Sequence, residues 1–137
     1  MANGISQPTD RDDLARLLGI NEDRLTQFAR EAERLYDRFP LKTRRRRPRW
    51  IDAPKPFLKL LQRRLLDRLL YEVPPHCAAH GFYPELSIIT NAQTHVHSDW
   101  VISFDLKDFF PTTDVEKVRQ VLKKYYALEG KTLDTVL

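Results

Sequence analysis

One cysteine, Cys77, is all the thiol chemistry this chain has. That excludes an internal disulfide framework and fits a reducing cytoplasm. A secretory leader is not expected either. The start Met-Ala-Asn-Gly-Ile-Ser-Gln-Pro has no basic segment followed by an apolar run. No hydrophobic stretch approaches the length of a membrane span, and Gly4 does not occupy the second position that myristoylation requires. There is no internal repeat, which sets solenoids aside. What remains is a chain of 137 residues, the size of one domain or a piece of one. With 42% hydrophobic and 31% charged residues it has enough apolar mass for a packed core, so global disorder is not expected.

The net charge of +4 is modest, but it is concentrated. Six of the eight residues from Lys42 to Arg49 are basic, within Thr43-Arg44-Arg45-Arg46-Arg47-Pro48-Arg49-Trp50-Ile51-Asp52-Ala53-Pro54. The pattern predicts two short strands, about 39–43 and 49–53, around a basic turn. Uncompensated arginines attract polyanions, and the guanidinium fork matches phosphate oxygens. The bland alternatives are a solvated charge run or a targeting signal. A run held between structured segments favours nucleic acid or nucleotide phosphate. A helix is expected over 56–71, with an apolar stripe of Leu58, Leu61, Leu65 and Leu69. Lys55, Lys59 and Arg63 form a basic line at i, i+4 spacing that could extend the phosphate-contacting surface.

Ahead of the hairpin, Thr9 with Asp10, Asp12 and Asp13, then Leu14, Leu17 and Leu18, then Gly19, reads as a capped helix. Asn21 caps a second helix, whose apolar positions run from Leu25 to Tyr36. Beyond the hairpin, Val73-Pro74-Pro75 ends the third helix. Four histidines and the cysteine lie between His76 and His97, but their spacing is not that of a zinc finger or ribbon. Ser87 is expected to cap a helix over 88–97 that carries Asn91 and His95, both read as structural.

The stretch Trp100-Val101-Ile102-Ser103-Phe104-Asp105-Leu106-Lys107-Asp108-Phe109-Phe110-Pro111 opens as a strand. Trp100, Ile102, Phe104 and Leu106 share one face. Asp105 then sits near the end of a half-buried strand, a position that suits a divalent metal. Thr113-x-x-Glu116 reads as a capping box for a helix that ends near Gly130. Lys131 to Leu137 reads as the start of another.

Phe104-Asp105-Leu106-Lys107-Asp108-Phe109-Phe110-Pro111 resembles the first catalytic motif of reverse transcriptases in the form found in bacterial retron-type enzymes. Three further segments share that likeness. They are Leu-Gly-Ile (18–20) with Tyr-x-x-Phe (36–39), the run Arg49-x-Ile51-x-Ala53-Pro54 with Leu58, Lys59 and Gln62, and Ala-His-Gly-Phe (79–82) followed by Ser87-Ile88, Asn91-Ala92 and His95. The resemblance implies an α+β fold: fingers and partial palm of a right-hand polymerase, with short antiparallel strands packed with helices. Residues 1–38 would be a helical N-terminal extension and 39–137 an incomplete reverse transcriptase domain. It implies an RNA-directed DNA polymerase, a nucleotidyltransferase that copies a structured RNA into DNA, with full-length relatives often acting in antiviral defence.

The resemblance also implies roles. Asp105 is the catalytic carboxylate and, with the Leu106 backbone carbonyl, a ligand in a two-ion Mg²⁺ site. Arg49 contacts the incoming deoxynucleotide triphosphate, and backbone amides near Asp108 and Phe109 hold its tail. Phe110 is the bulky ring that excludes a 2′-hydroxyl. Asp108 has a turn role and is not a metal ligand. Arg44, Arg45, Arg46, Arg47, Lys55, Lys59 and Arg63 would face the RNA template and the DNA primer or product. Two departures stand out. Arginines replace the family's glycine-containing turn in the hairpin, and no Tyr-x-Asp-Asp follows Asp105. One carboxylate cannot organise two Mg²⁺ ions, so these residues alone are expected not to polymerise DNA. A partner protein or the C-terminal half of the polymerase would have to supply the rest. Two alternatives remain: a non-catalytic RNA-binding module, and a piece of a group II intron maturase.

Overall fold

Leucines set the architecture. In the computed structural model, which describes residues 7–43 and 46–137, the buried core is Leu14, Ala15, Leu17, Leu18, Leu25, Leu61, Leu69, Leu122, Tyr126, Leu128 and Leu133. They come from α1 (Arg11–Leu18), α2 (Glu22–Arg30), α3 (Pro56–Arg68) and the turn after it, α6 (Val115–Tyr126) and α7 (Gly130–Val136). Two short helices, α4 (Ile88–Gln93) and α5 (Phe109–Thr112), lie between α3 and α6 and bury no side chain in that core. The first and last helices meet. Arg11 Nε donates to the Lys131 carbonyl at 3.3 Å and to Thr135 Oγ1 at 3.1 Å.

The strands β1 (Tyr36–Thr43) and β2 (Arg46–Pro54) pair antiparallel as a hairpin. They run longer than the expected 39–43 and 49–53. One face carries Tyr36, Arg38 and Pro40 opposite Pro54, Asp52 and Trp50. The other carries Asp37, Phe39 and Leu41 opposite Ala53, Ile51 and Arg49. Between Leu41 and Thr43 the register shifts, because Thr43 pairs with Arg46 where unbroken pairing would place Arg47. Pro48, which has no N–H to give a ladder, lies on the strand facing this shift. The base of the hairpin is tied to α3. Lys55 N–H donates to the Leu35 carbonyl at 2.8 Å, and Gln62 Nε2 donates to the Tyr36 hydroxyl at 2.8 Å.

Several expectations need correction. The second helix stops at Arg30, and Ala32–Leu35 tightens into a 3₁₀ turn. The Leu35 carbonyl accepts from Lys55 N–H, and Tyr36 enters the ladder. The third helix ends at Arg68, with a 3₁₀ turn at Leu70–Glu72. The Ser87 cap is present, its hydroxyl accepting from Ile89 and Thr90 N–H, but α4 closes at Gln93, short of 97. The caps of α1 and α6 each sit one residue later than expected. Asp10 accepts from Asp13 N–H, and Asp114 accepts from Glu116 N–H. Thr9 and Thr113 bond elsewhere, Thr9 to the Asp13 carboxylate and Thr113 to the Phe109 carbonyl. Helix α6 ends at Tyr126, where Ala127 turns left-handed (φ 49°) and drives Leu128 into full burial. Gly130 opens α7.

The largest correction concerns residues 100–106. They form no strand. A strand needs a neighbour for its backbone N–H and C=O groups, and among the described residues this run has none. Its apolar side chains stand in solvent, Trp100 at 89% and Phe104 at 87% of full exposure.

Candidate nucleic-acid and nucleotide interface

Asp105 and Leu106 lie on this exposed run, directly before a turn at Lys107 and Asp108. Asp108 takes the left-handed conformation (φ 54°), which Asp tolerates better than most residues. Its carbonyl accepts from Thr112 N–H at 3.0 Å and from Thr112 Oγ1 at 2.9 Å. The turn thus swings the chain from the Asp105 run into α5. That helix presents Phe109 and Phe110 edge to face, with centroids 5.4 Å apart. Phe110 is 77% exposed, so an aromatic edge is free to meet a ligand.

Arg49 is exposed on the hairpin face it shares with Phe39, Leu41 and Ile51. Arg46 and Arg47 belong to β2, and Arg44 and Arg45 lie outside the described residues. Lys55 and Lys59 are exposed, at the start of α3 and one turn into it, with no acidic partner among the described residues. Arg63 differs. Its Nε meets Asp67 at 2.9 Å, an exposed i, i+4 pair that offsets part of its charge.

The hairpin and the start of α3 are thus brought together through the Leu35–Lys55 and Tyr36–Gln62 bonds. No hydrogen bond or ion pair among the described residues joins them to Asp105, Asp108, Phe109 or Phe110. No group of three or more potential metal-ligating side chains occurs among the described residues. Mg²⁺ wants an octahedral oxygen shell, and Asp105 with one carbonyl falls short of it. Among the described residues, Asp105 and the Leu106 carbonyl are therefore too few to complete a two-ion site.

The periodicity of α3 concealed two arginines. Arg64 and Arg68 do not join the phosphate-facing line. They bond the last carbonyls of α1, at Leu18 (2.6 Å) and Leu17 (2.7 Å). The signal available in sequence was their own i, i+4 spacing, offset by one from the Lys59 and Arg63 line. On the hairpin, the Arg38–Trp50 pair also went unread, since it follows from the register alone.

Comparison with known proteins fixes the kinship. Over 133 residues, 94% of the chain, it is 38% identical to the Retron Mx162 reverse transcriptase of Myxococcus xanthus. The chain is a homologue of the retron reverse transcriptases. It is 40% identical over 115 residues to the Retron Mx65 reverse transcriptase of the same organism, and 34% identical over 73 residues to the Retron Ec86 reverse transcriptase of Escherichia coli. The chain spans 27% of the length of each of the two Myxococcus reverse transcriptases. No family model matches the chain. No helix among the described residues is long and apolar enough to cross a membrane.

Proposed function

We propose that this chain is the fingers and the first part of the palm of an RNA-directed DNA polymerase of the retron type. In this reading the basic hairpin and the start of α3 hold template and incoming nucleotide. Asp105 offers the first carboxylate of a two-Mg²⁺ site whose other ligands lie outside these residues. What carries the reading is homology to retron reverse transcriptases across 94% of the chain. The arrangement of the residues agrees with it. Exposed Arg49, Lys55 and Lys59 share one hairpin–helix unit, and the Asp108 turn places two aromatic rings directly after Asp105. Arg49 would meet the triphosphate, and the Phe110 edge would exclude a 2′-hydroxyl by contact alone.

A second reading rests on the exposed Arg49, Lys55 and Lys59 by themselves, which need no metal to meet phosphate. It takes the 137 residues by themselves as a module that binds RNA without polymerising. Primer extension and RNA binding by the purified chain test both. We expect no extension. We expect RNA binding that Asp105→Asn leaves unchanged and that replacing Arg44, Arg45, Arg46 and Arg47 with glutamine weakens. The slope of log affinity against log salt should flatten by roughly 0.7 for each single-strand phosphate no longer engaged. Extension that depends on Asp105 would overturn the inactivity of the isolated chain. Failure to bind RNA at low salt would overturn the nucleic-acid reading.

A further inference from the structure

Trp50 is 61% exposed on the hairpin, an unusual place to leave the largest apolar side chain in water. It is not alone there. The Arg38 guanidinium lies over the indole, 5.5 Å from the ring centroid. Asp52 Oδ1, on the strand opposite, sits 3.6 Å from Arg38 Nε. Pro40 is the cross-strand partner of Trp50. A rigid ladder therefore presents an aromatic ring with a planar cation held against it. Trp100 is more exposed still, yet no cation lies over its ring among the described residues. In sequence, the arginines of Arg44–Arg47 lie at the junction of the two strands. Arg49, the residue read as the triphosphate contact, faces the other way, so the Trp50 face is not accounted for by nucleotide binding.

We propose that the Trp50–Arg38 face of the hairpin is a stacking platform for an unpaired base of single-stranded nucleic acid. The proposal rests on the nucleic-acid reading of the basic hairpin. The charge pattern selects the occupant. The arginines of the Arg44–Arg47 run take the backbone phosphates, while the ring takes a base face, the combination by which single strands are bound without sequence preference. A duplex keeps its base faces inside its own stack and offers the ring nothing without opening. The paired strands set Arg38, Asp52 and Trp50 side by side before the strand arrives.

Trp100→Phe leaves Trp50 as the sole indole, since the chain has two tryptophans. Its fluorescence is followed while the full chain is titrated with a single-stranded RNA, a strand of equal length made abasic, and an RNA duplex. We expect quenching by the base-containing single strand and none by the abasic strand. Trp50→Ala in the native background should weaken binding of the base-containing strand on the order of tenfold, Trp50→Phe less, and neither should alter abasic binding. Equal quenching by the abasic strand, or unchanged affinity in Trp50→Ala, overturns the platform. If Trp50→Ala unfolds by circular dichroism, the base-against-abasic comparison decides by itself. Arginine replacement that weakens binding while both stacking readouts stay flat overturns the platform and leaves the hairpin reading standing. An absence of binding by any strand overturns both.

Discussion

Arg64 Nη1 donates to the Leu18 carbonyl across 2.6 Å, so α3 closes the C-terminus of α1 with a side chain from 46 positions away. The last carbonyls of a helix have no partner of their own and carry the negative end of its dipole. A guanidinium answers both needs. Arg64→Ala is expected to lower the free energy of unfolding by about 1–2 kcal/mol, with Arg64→Lys recovering less than half, because a point ammonium replaces a planar fork. Urea unfolding of the two variants checks this.

Gly19 is bound up with the same contact. Its φ is 69°, and a Cβ placed there would lie 2.9 Å from Arg64 Nη1. Gly19→Ala therefore meets both a left-handed backbone, at about 1–2 kcal/mol, and the guanidinium. In Arg64→Ala the second conflict is gone. The double variant should lose less stability than the sum of the singles, a coupling that a double-mutant cycle measures.

Tyr126 is buried, and its hydroxyl donates to the Leu70 carbonyl at 2.9 Å. Burial, and then the neighbouring Tyr83, push its pKa above the ordinary 10.0. A raised folded-state value means the contribution is complete below about pH 10 and fades as pH climbs through the folded pKa. Tyr126→Phe should cost about 1 kcal/mol at neutral pH through the missing bond. It should also shallow the alkaline limb of the stability profile, as denaturant midpoints between pH 8 and 11 will reveal.

The apolar run at 100–106 predicts sticky behaviour. With Ile102 75% exposed, Ile102→Glu should move stability by no more than about 0.5 kcal/mol. Yet it should lower binding of a hydrophobic dye and slow aggregation of the isolated chain. A large loss of thermal stability in this variant would show that the run is buried.

Local signals carried the sequence analysis where one residue decides. Asn21 and Ser87 cap as expected because a short polar side chain before a helix has one productive bond to make. At Thr9-Asp10 and Thr113-Asp114 two capping residues stand side by side, and the aspartate takes the cap in both. Nothing between Leu25 and Tyr36 marks the break after Arg30. Five residues past that break, the Leu35 carbonyl accepts from Lys55 N–H, a partner far along the chain that no local pattern announces. The alternation from Trp100 to Leu106 was plain, but a strand is a property of two segments, and its second segment is not among the described residues. The basic hairpin was legible in composition. Which face holds Arg49 and which holds Trp50 was not, because a one-residue change of register exchanges the faces.

The bonds from Arg11 to Lys131 and Thr135 give the chain a schedule as well as a shape. Helix α1 leaves the ribosome well before α7, whose Leu133 shares its buried core. At about 5–20 residues per second, the leucines of α1 wait on the order of 10 s for that cover. Until then α3, through Arg64 and Arg68, is what holds α1, and a nascent chain stalled before α7 exposes an apolar seam to chaperones.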